Sequence, residues 1–446
     1  TGIENGRHGG TMKAIQVGLI GFGTVGTGVV KILQQNAAVI EKRVGRSVVL
    51  SRIADLDVTT DRGINVPDGI LTTKVGDILD DPDIEIVVEL IGGHDPAKRF
   101  ILQAIERKKC VVTANKALLA DHGEEIFEAA FKSKVDVGFE ASVGGGIPII
   151  RSLTEGLAAN RMTSIMGIMN GTSNYILTRM TSEHRDFSEI LQEAKREGYA
   201  EADPSLDVDG IDAAHKLAIM VNLAYGTPVR MSEIFTEGIS TLSTVDMEFA
   251  KELGLTIKLL GIAKLREQSI EARVHPTLVP SGSPIAQVGG VYNAIHLIGD
   301  SVGDVVLYGK GAGSLPTASA VVGDIIDLAR NRITQISCRV PPTSFQWEQR
   351  QAIPIKPMAN IESMYYLRCM VKDQPNVLSK ISGILGAHGI SISSVLQKGR
   401  KAGQTVPLVI LTHRSQEAAV QLALQEINAL PLVSEPTTLL RMEEME

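Results

Sequence analysis

The stretch that most constrains this chain is residues 14–33. Apolar, β-favouring residues 14–20 run straight into Gly21-Phe22-Gly23-Thr24-Val25-Gly26, and an apolar-periodic segment comes next. Strand, GxGxxG and helix in that order make a dinucleotide-binding turn. The first two glycines let the backbone turn and approach a pyrophosphate, which the helix N-terminus then holds with its unpaired N–H groups. A tight strand-to-helix turn requiring positive φ would use the same glycines without a ligand.

Residues 47–139 fit a nucleotide-binding sheet. A second strand over residues 47–54 ends at Asp55 and Asp57, with Asp55 lying 29 residues beyond Gly26. That is longer than the usual ~20, and the insertion around residues 41–46 accounts for it. An acid here accepts from the ribose hydroxyls of NAD and repels a 2′-phosphate, although Arg52 and Arg62 lie near enough in sequence to hold one. The residues lean towards NAD. Buried-type strands over residues 84–91 and 110–113 flank an amphipathic helix, residues 96–108, and the second strand ends in Ala114-Asn115-Lys116. This alternation predicts a doubly wound parallel sheet with ligands at the carboxyl ends of its strands. Lys116 there is either a surface charge or a contact to cofactor or substrate, and its place directly after the strand favours the contact. A strand over residues 135–139 leads into Glu140 and a glycine run ending at Pro148. The exposed carbonyls of such a run, with one carboxylate, can wrap a small hard cation, and a simple glycine turn explains it equally well.

From residue 161 the pattern changes. A strand leads into Asn170-Gly171-Thr172-Ser173-Asn174-Tyr175, a polar turn opening a helix, and residues 272–279 and 304–308 read as strands of a second sheet. Gly309-Lys310-Gly311-Ala312-Gly313 opens a helix over residues 317–330, again suited to lie near a phosphate or nicotinamide. Between these lies the stretch 198–220. Asp203-Pro204 stops one helix, and Asp209-Gly210 starts another in which Ile211, Ala214, Leu217, Ala218 and Val221 recur at helical spacing. Asp212 and Lys216 then share a face, with Cβ atoms roughly 5–6 Å apart. They are either a solvated ion pair or a lysine held by a carboxylate to pass a proton, with Glu201 as a third charge.

At 446 residues the chain is long enough for two or three domains with their own cores. Its net charge of -7 argues against nucleic acid or an anionic membrane as main partner. No apolar run reaches the ~20 residues of a spanning helix. Cys110, Cys338 and Cys369 are isolated, so neither a disulfide framework nor a zinc site is implied, and a cytoplasmic setting is expected. Residues 1–11 read as an unstructured leader. Residues 341–360 carry four prolines and no period, as a linker does. Beyond them strand, helix, strand, strand, helix and strand predict a ferredoxin-like βαββαβ sandwich without a catalytic cluster, suited to binding or regulation.

From Met12 on, these residues and motifs resemble bacterial homoserine dehydrogenase with a C-terminal ACT domain; the GYAEADP and DGIDAAHK segments carry most of the likeness. The resemblance implies a Rossmann-type domain over residues 12–150, an α+β substrate-binding and dimerisation domain over 151–314, a helix returning to the first over 315–340, the linker over 341–360, and an ACT domain over 361–446. It implies reversible NAD(P)-dependent interconversion of L-homoserine and L-aspartate 4-semialdehyde, in the biosynthesis of threonine, isoleucine and methionine. It further implies that Lys216 exchanges the proton at the substrate oxygen, that Asp212 binds substrate and orients the lysine, that Glu201 and the Gly198 backbone hold the amino group, and that Lys116 lies between nicotinamide and substrate. Phe22, Thr24, Val25 and Gly313 would touch the cofactor, and Glu140 with the carbonyls of Val143, Gly145 and Ile147 would enclose sodium. A homodimer and threonine feedback at the ACT domain are implied as well. Two departures stand out: Asp55-Leu56-Asp57 replaces the basic residue many relatives carry after the second strand, and Asp373-Gln374-Pro375-Asn376 replaces the Asp-x-Pro-Gly turn. An ACT-bearing 2-hydroxy-acid dehydrogenase would use a histidine acid/base, and His215 falls on a different helix face from Lys216. A catalytically silent amino-acid sensor would have lost Lys116 or Lys216.

Overall fold

The computed structural model describes residues 13–398 and 404–444; the leader expected over residues 1–11 lies outside them. The described residues divide into two compact units, one from residues 13–150 with 312–343, the other from residues 151–311 with the described residues beyond 343.

In the first unit β1 (Ile15–Ile20), β2 (Val48–Ala54), β3 (Leu71–Thr72), β4 (Ile84–Glu89), β5 (Cys110–Thr113) and β6 (Val137–Gly138) are parallel, in the order β3-β2-β1-β4-β5-β6. The chain winds outward in both directions from β1 and β4, which leaves a crevice at their carboxyl ends. Both central strands are covered on two faces, so they read as nearly continuous aliphatic runs, with Val17, Leu19, Ile86 and Val88 fully buried. The helix Thr24–Gln35 packs against the long helix Ser314–Thr334 through Val29, Leu33, Val321, Ile325 and Leu328. Gly28 permits the close approach, because a Cβ there would lie 2.8 Å from the Ser314 carbonyl oxygen and 2.9 Å from Ala318 Cβ.

The second unit is built on an 11-stranded sheet. Its strands are β7 (Met162–Ile168), β8 (Phe235–Thr236), β9 (Leu255–Arg266), β10 (Ser269–Pro280), β11 (Tyr292–Gly299), β12 (Gly303–Lys310), β13 (Glu362–Lys372), β14 (Ile392–Gln397), β15 (Thr405–Thr412), β16 (Ser415–Gln416) and β17 (Thr438–Met442). The spine runs β12-β11-β7-β9-β10-β17-β13-β15-β14, with β8 on β10 and β16 on β13. The C-terminal βαββαβ order is present, its helices being Val377–Ala387 and Glu417–Asn428. Asn376, with φ of 71°, takes the left-handed turn before the first of them.

The sequence pattern marks neither β9 nor β11, and it predicts a separate C-terminal domain. In the fold β17 pairs in parallel with β10, Thr277 opposite Arg441 and Leu278 opposite Met442, so one sheet runs through both domains. Charged side chains cross this junction: Arg368 Nε donates to Asp246 Oδ1 at 2.6 Å, Arg441 Nη1 to Glu237 Oε2 at 2.7 Å, and Arg273 pairs with Glu443. The proline-rich segment is also docked: Thr227 Oγ1 donates to the Gln351 carbonyl at 2.9 Å, and Arg350 Nη2 to Asn222 Oδ1 at 3.0 Å. Among the described residues no helix is long and apolar enough to cross a membrane.

Candidate active site

In the second unit the helix Ile211–Tyr225 begins at Gly210, whose φ of 83° lets the chain turn sharply into it. Ala213, Ala214, Leu217, Ala218 and Val221 are buried, but so are Asp212 and Lys216, at 6% and 8% exposure. The pair is therefore not a solvated surface contact. Lys216 Nζ lies 2.6 Å from Asp212 Oδ2 and 2.6 Å from the Met169 carbonyl oxygen, to both of which it donates. Met169 directly follows β7, and Asn170 comes next as the cap of the helix Gly171–Glu183, its Oδ1 accepting from Ser173 N at 2.8 Å. The Asn170 amide nitrogen directs its two protons to two carboxylates, Asp207 Oδ1 at 2.6 Å and Asp212 Oδ2 at 2.9 Å.

Asp207 is a member of this cluster that sequence reasoning does not pick out. The signal is present in a run with acids at positions 203, 207, 209 and 212, but their facing depends on the turn at 208–210. Burial pushes the Asp207 carboxyl up, the Asn170 hydrogen bond opposes this, and the nearby Asp212 charge adds to it. Two carboxylates against one ammonium suit a ligand that brings a further positive charge. The loop carrying Gly198, left-handed at φ of 77°, is tied to the same helix by Thr172 Oγ1, which donates to the Tyr199 carbonyl at 2.7 Å. Glu201 is exposed on that loop.

In the first unit the glycine loop closes on itself. A Cβ on Gly26 would lie 2.2 Å from the Gly21 carbonyl oxygen, and Gly21 has φ of 101° with the Leu90 backbone against it. Gly23 differs, since a Cβ there would meet nothing within 4 Å. Packing within this unit does not require glycine at 23, whereas a dinucleotide lying against the backbone does, so the loop fits such a group. Thr24 opens the helix after the loop, and its carbonyl accepts from Ser314 Oγ at 2.7 Å, which brings Gly313, at φ of 123°, beside the loop.

At the end of β2, Asp55 Oδ2 accepts from Phe22 N at 2.5 Å. Arg62 also reaches the loop: Nε donates to the Phe22 carbonyl at 2.5 Å, the guanidinium covers the Phe22 ring, and Nη2 lies 3.7 Å from Asp55 Oδ1. An acid and an arginine thus sit together at the carboxyl end of β2, beside the glycine loop. Arg52 instead donates to the Ser51 carbonyl. Lys116 starts the helix Lys116–Ser133 at the carboxyl end of β5, behind Asn115, whose Nδ2 donates to the Gly93 carbonyl at 2.6 Å. Glu89, fully buried at the end of β4, is not anticipated from sequence: it accepts from Thr113 Oγ1 at 2.7 Å and from Ile91 N at 2.8 Å, tying the two strand ends together. Burial raises its carboxyl above the usual range. Glu140 is buried, with Oε1 accepting from Ile150 N at 2.8 Å, and Gly144 and Gly145 both take positive φ. Among the described residues no group of three or more His, Cys, Asp or Glu could hold a metal ion.

Family models for the homoserine dehydrogenase NAD binding domain, homoserine dehydrogenase and the ACT domain match residues 21–140, 148–326 and 365–432. The homoserine dehydrogenase of Neisseria gonorrhoeae is 47% identical over 434 residues, covering 97% of this chain and 100% of that protein. The chain belongs to the homoserine dehydrogenase family. The crystal structure of the Thiobacillus denitrificans homoserine dehydrogenase superposes with a TM-score of 0.92 at 47% identity, over 97% of this chain and 99% of that one. A hyperthermophilic archaeal homoserine dehydrogenase in complex with NADPH matches with a TM-score of 0.61 at 27% identity, over 73% of this chain and 100% of its own. As a homoserine dehydrogenase with an ACT domain, the chain is an NAD(P)-dependent oxidoreductase acting on a CH–OH group, interconverting L-homoserine and L-aspartate 4-semialdehyde in amino-acid biosynthesis.

Proposed function

We propose that Lys216 exchanges the proton at the substrate's hydroxyl or aldehyde oxygen, while Asp212 binds the substrate and orients the lysine. The observation that carries this reading is the buried Nζ held at 2.6 Å by both Asp212 Oδ2 and the Met169 carbonyl. A lysine fixed at two points loses little further freedom when a substrate oxygen comes within reach. Asp207 joins Asp212 in receiving the substrate's ammonium, with Glu201 and the Gly198 backbone adding contacts from their loop. When bound, the nicotinamide supplies or takes up the hydride. Gly21, Phe22, Gly23, Thr24, Val25 and Gly26, with Gly313, hold the dinucleotide, and Lys116 provides a cation at the carboxyl end of the sheet. Asp55 favours NAD through the ribose, while Arg62 beside it and the archaeal relative's NADPH support use of NADP as well.

The remaining assignments rest on the family. Residues 12–150 with 315–340 serve the nucleotide, 151–314 the substrate and dimerisation, and 361–446, beyond the 341–360 linker, regulation by an amino acid, threonine being our choice. The active form is a cytoplasmic homodimer. Glu140 and the carbonyls of Val143, Gly145 and Ile147 enclose a structural sodium ion, a reading supported by the buried carboxylate and the two left-handed glycines.

The test is Lys216→Ala, with nicotinamide absorbance read in the presence of L-homoserine. Turnover should fall about 10²- to 10⁴-fold while NADPH and NADH affinity changes less than about two-fold. Retained turnover would remove Lys216 from the chemistry.

A further inference from the structure

Between the C-terminal domain and the acids of the substrate cluster lies a short strap, residues 235–239. Its first two residues, β8, pair with Arg273 and Val274 of β10, and Glu237 N donates to the Val274 carbonyl at 2.8 Å. At the far end Ile239 N donates to the Val208 carbonyl at 2.8 Å. Between them Gly238 lies so close to the next turn that a Cβ would sit 2.4 Å from the Val208 carbonyl oxygen and 2.7 Å from Asp209 Cα. On the other side of the contact a Cβ on Gly210 would meet Val274 at 3.1 Å and Thr236 at 3.2 Å. At Gly238 backbone thus rests on backbone, while at Gly210 the contact is made by the short β-branched side chains of Val274 and Thr236, which leaves little slack to absorb a shift. The turn it rests on, residues 208–210, separates Asp207 from Asp212.

From the C-terminal domain the side chain of Arg441 holds the strap. Arg441, on β17 and 2% exposed, reaches Glu237 Oε2 with Nη1 at 2.7 Å while its other nitrogens grip Glu417 at 2.6 and 3.0 Å. Its guanidinium also covers the ring of Phe235 at 4.9 Å. Glu417 is the first residue of the helix Glu417–Asn428, so that helix, β17 and the strap meet at a single fork.

We infer that Glu237, held by Arg441, is a positioning residue for the Asp207 and Asp212 carboxylates, and that the arrangement of the ACT domain reaches the substrate site through this pair. The inference rests on the reading of those two acids as substrate-binding groups. Its physical basis is that a displacement of β17 or of the helix at Glu417 changes where Glu237 is anchored, and the Gly238 contact passes that change to the 208–210 turn. The strap touches neither substrate nor cofactor, so its effect falls on the binding of the amino acid and not of the nucleotide.

The experiment uses the full chain with Glu237→Gln, a change at a half-buried side chain that keeps shape and removes charge. Two readouts are taken: KM for L-homoserine against KM for the nucleotide, and hydrogen exchange of the backbone over residues 205–212. The expected result is a rise of about five-fold in KM for L-homoserine, an unaltered nucleotide KM, and exchange at 205–212 faster by a similar factor, at an unchanged melting temperature. Glu237→Asp, which keeps the charge, should recover part of the KM. Unchanged exchange at 205–212 would overturn the inference, as would a parallel rise in both KM values with a lowered melting temperature. If the parent chain fails to oxidise L-homoserine, the functional reading falls, while the exchange measurement still decides whether Glu237 holds the turn.

Discussion

Lys258 lies in the first third of β9, 4% exposed, and among the described residues no carboxylate pairs with it. Its Nζ donates to the Val288 carbonyl at 2.6 Å and to Asn174 Oδ1 at 3.1 Å. Asn174 stands on the helix capped by Asn170, so this lysine braces the element that carries the bridge between Asp207 and Asp212. Burial lowers its pKa to about 8, against ~10.4 for an unfolded lysine. The folded value lies below the unfolded one, so below pH ~8 the folded chain carries a desolvated cation that the unfolded chain solvates freely; folding is disfavoured there, and stability returns as pH rises from ~8 towards ~10.4. The displacement corresponds to about 3 kcal/mol in full, of which roughly 1.3 kcal/mol is recovered between pH ~7 and ~9. Lys258→Met removes the titrating group at similar length. Its absolute stability at one pH mixes relief of desolvation with loss of a donor to Val288 and Asn174, so the informative quantity is the difference in slope. Urea unfolding monitored by circular dichroism should show the parent chain gaining roughly 1.3 kcal/mol more than the variant over that interval. Parallel pH dependences would refute the reasoning, meaning that the two carbonyl-type acceptors already stabilise the ammonium as well as water does.

Other outcomes are equally open to measurement. Gly23→Ala meets no atom of its own unit within 4 Å, so thermal unfolding should move by less than about 0.5 kcal/mol while NADH affinity, read by fluorescence titration, falls about ten-fold or more. Unchanged affinity would place the dinucleotide elsewhere. Asp55→Ala should weaken NAD several-fold more than NADP, and an equal effect on both would remove the ribose contact. Arg368→Met strands Asp246, which is fully buried, and should cost about 3–5 kcal/mol in chemical unfolding; a cost under about 1 kcal/mol would show that Ser243 and Tyr366 satisfy that carboxylate unaided.

Much of the architecture is legible because it is decided by near neighbours in the chain. The order strand, GxGxxG, helix requires only that glycines sit where the backbone must turn or touch itself, and Gly21 and Gly26 do so. Helical spacing places Asp212 and Lys216 on one face, and the 3.6-residue period guarantees this whatever surrounds the helix. The βαββαβ order of the last domain emerges from alternating periodicities in the same way. β9 escapes because a long strand buried on both faces carries no alternation to betray it, and Lys258 within it argues locally against burial.

What the sequence by itself determined is therefore the set of local elements, the dinucleotide loop and the identity of the paired acid and lysine. What only the tertiary structure decided is which distant groups complete them. Asn170 meets Asp207 across 37 residues, Arg62 meets Phe22 across 40, and Arg441 meets Glu237 across 204. No periodicity encodes such pairings, since they arise when sheets close and bury charges that must then find partners. Whether Asp212 and Lys216 form a solvated pair or a buried one was settled there too, because burial depends on what packs over a helix face and not on the residues that make it.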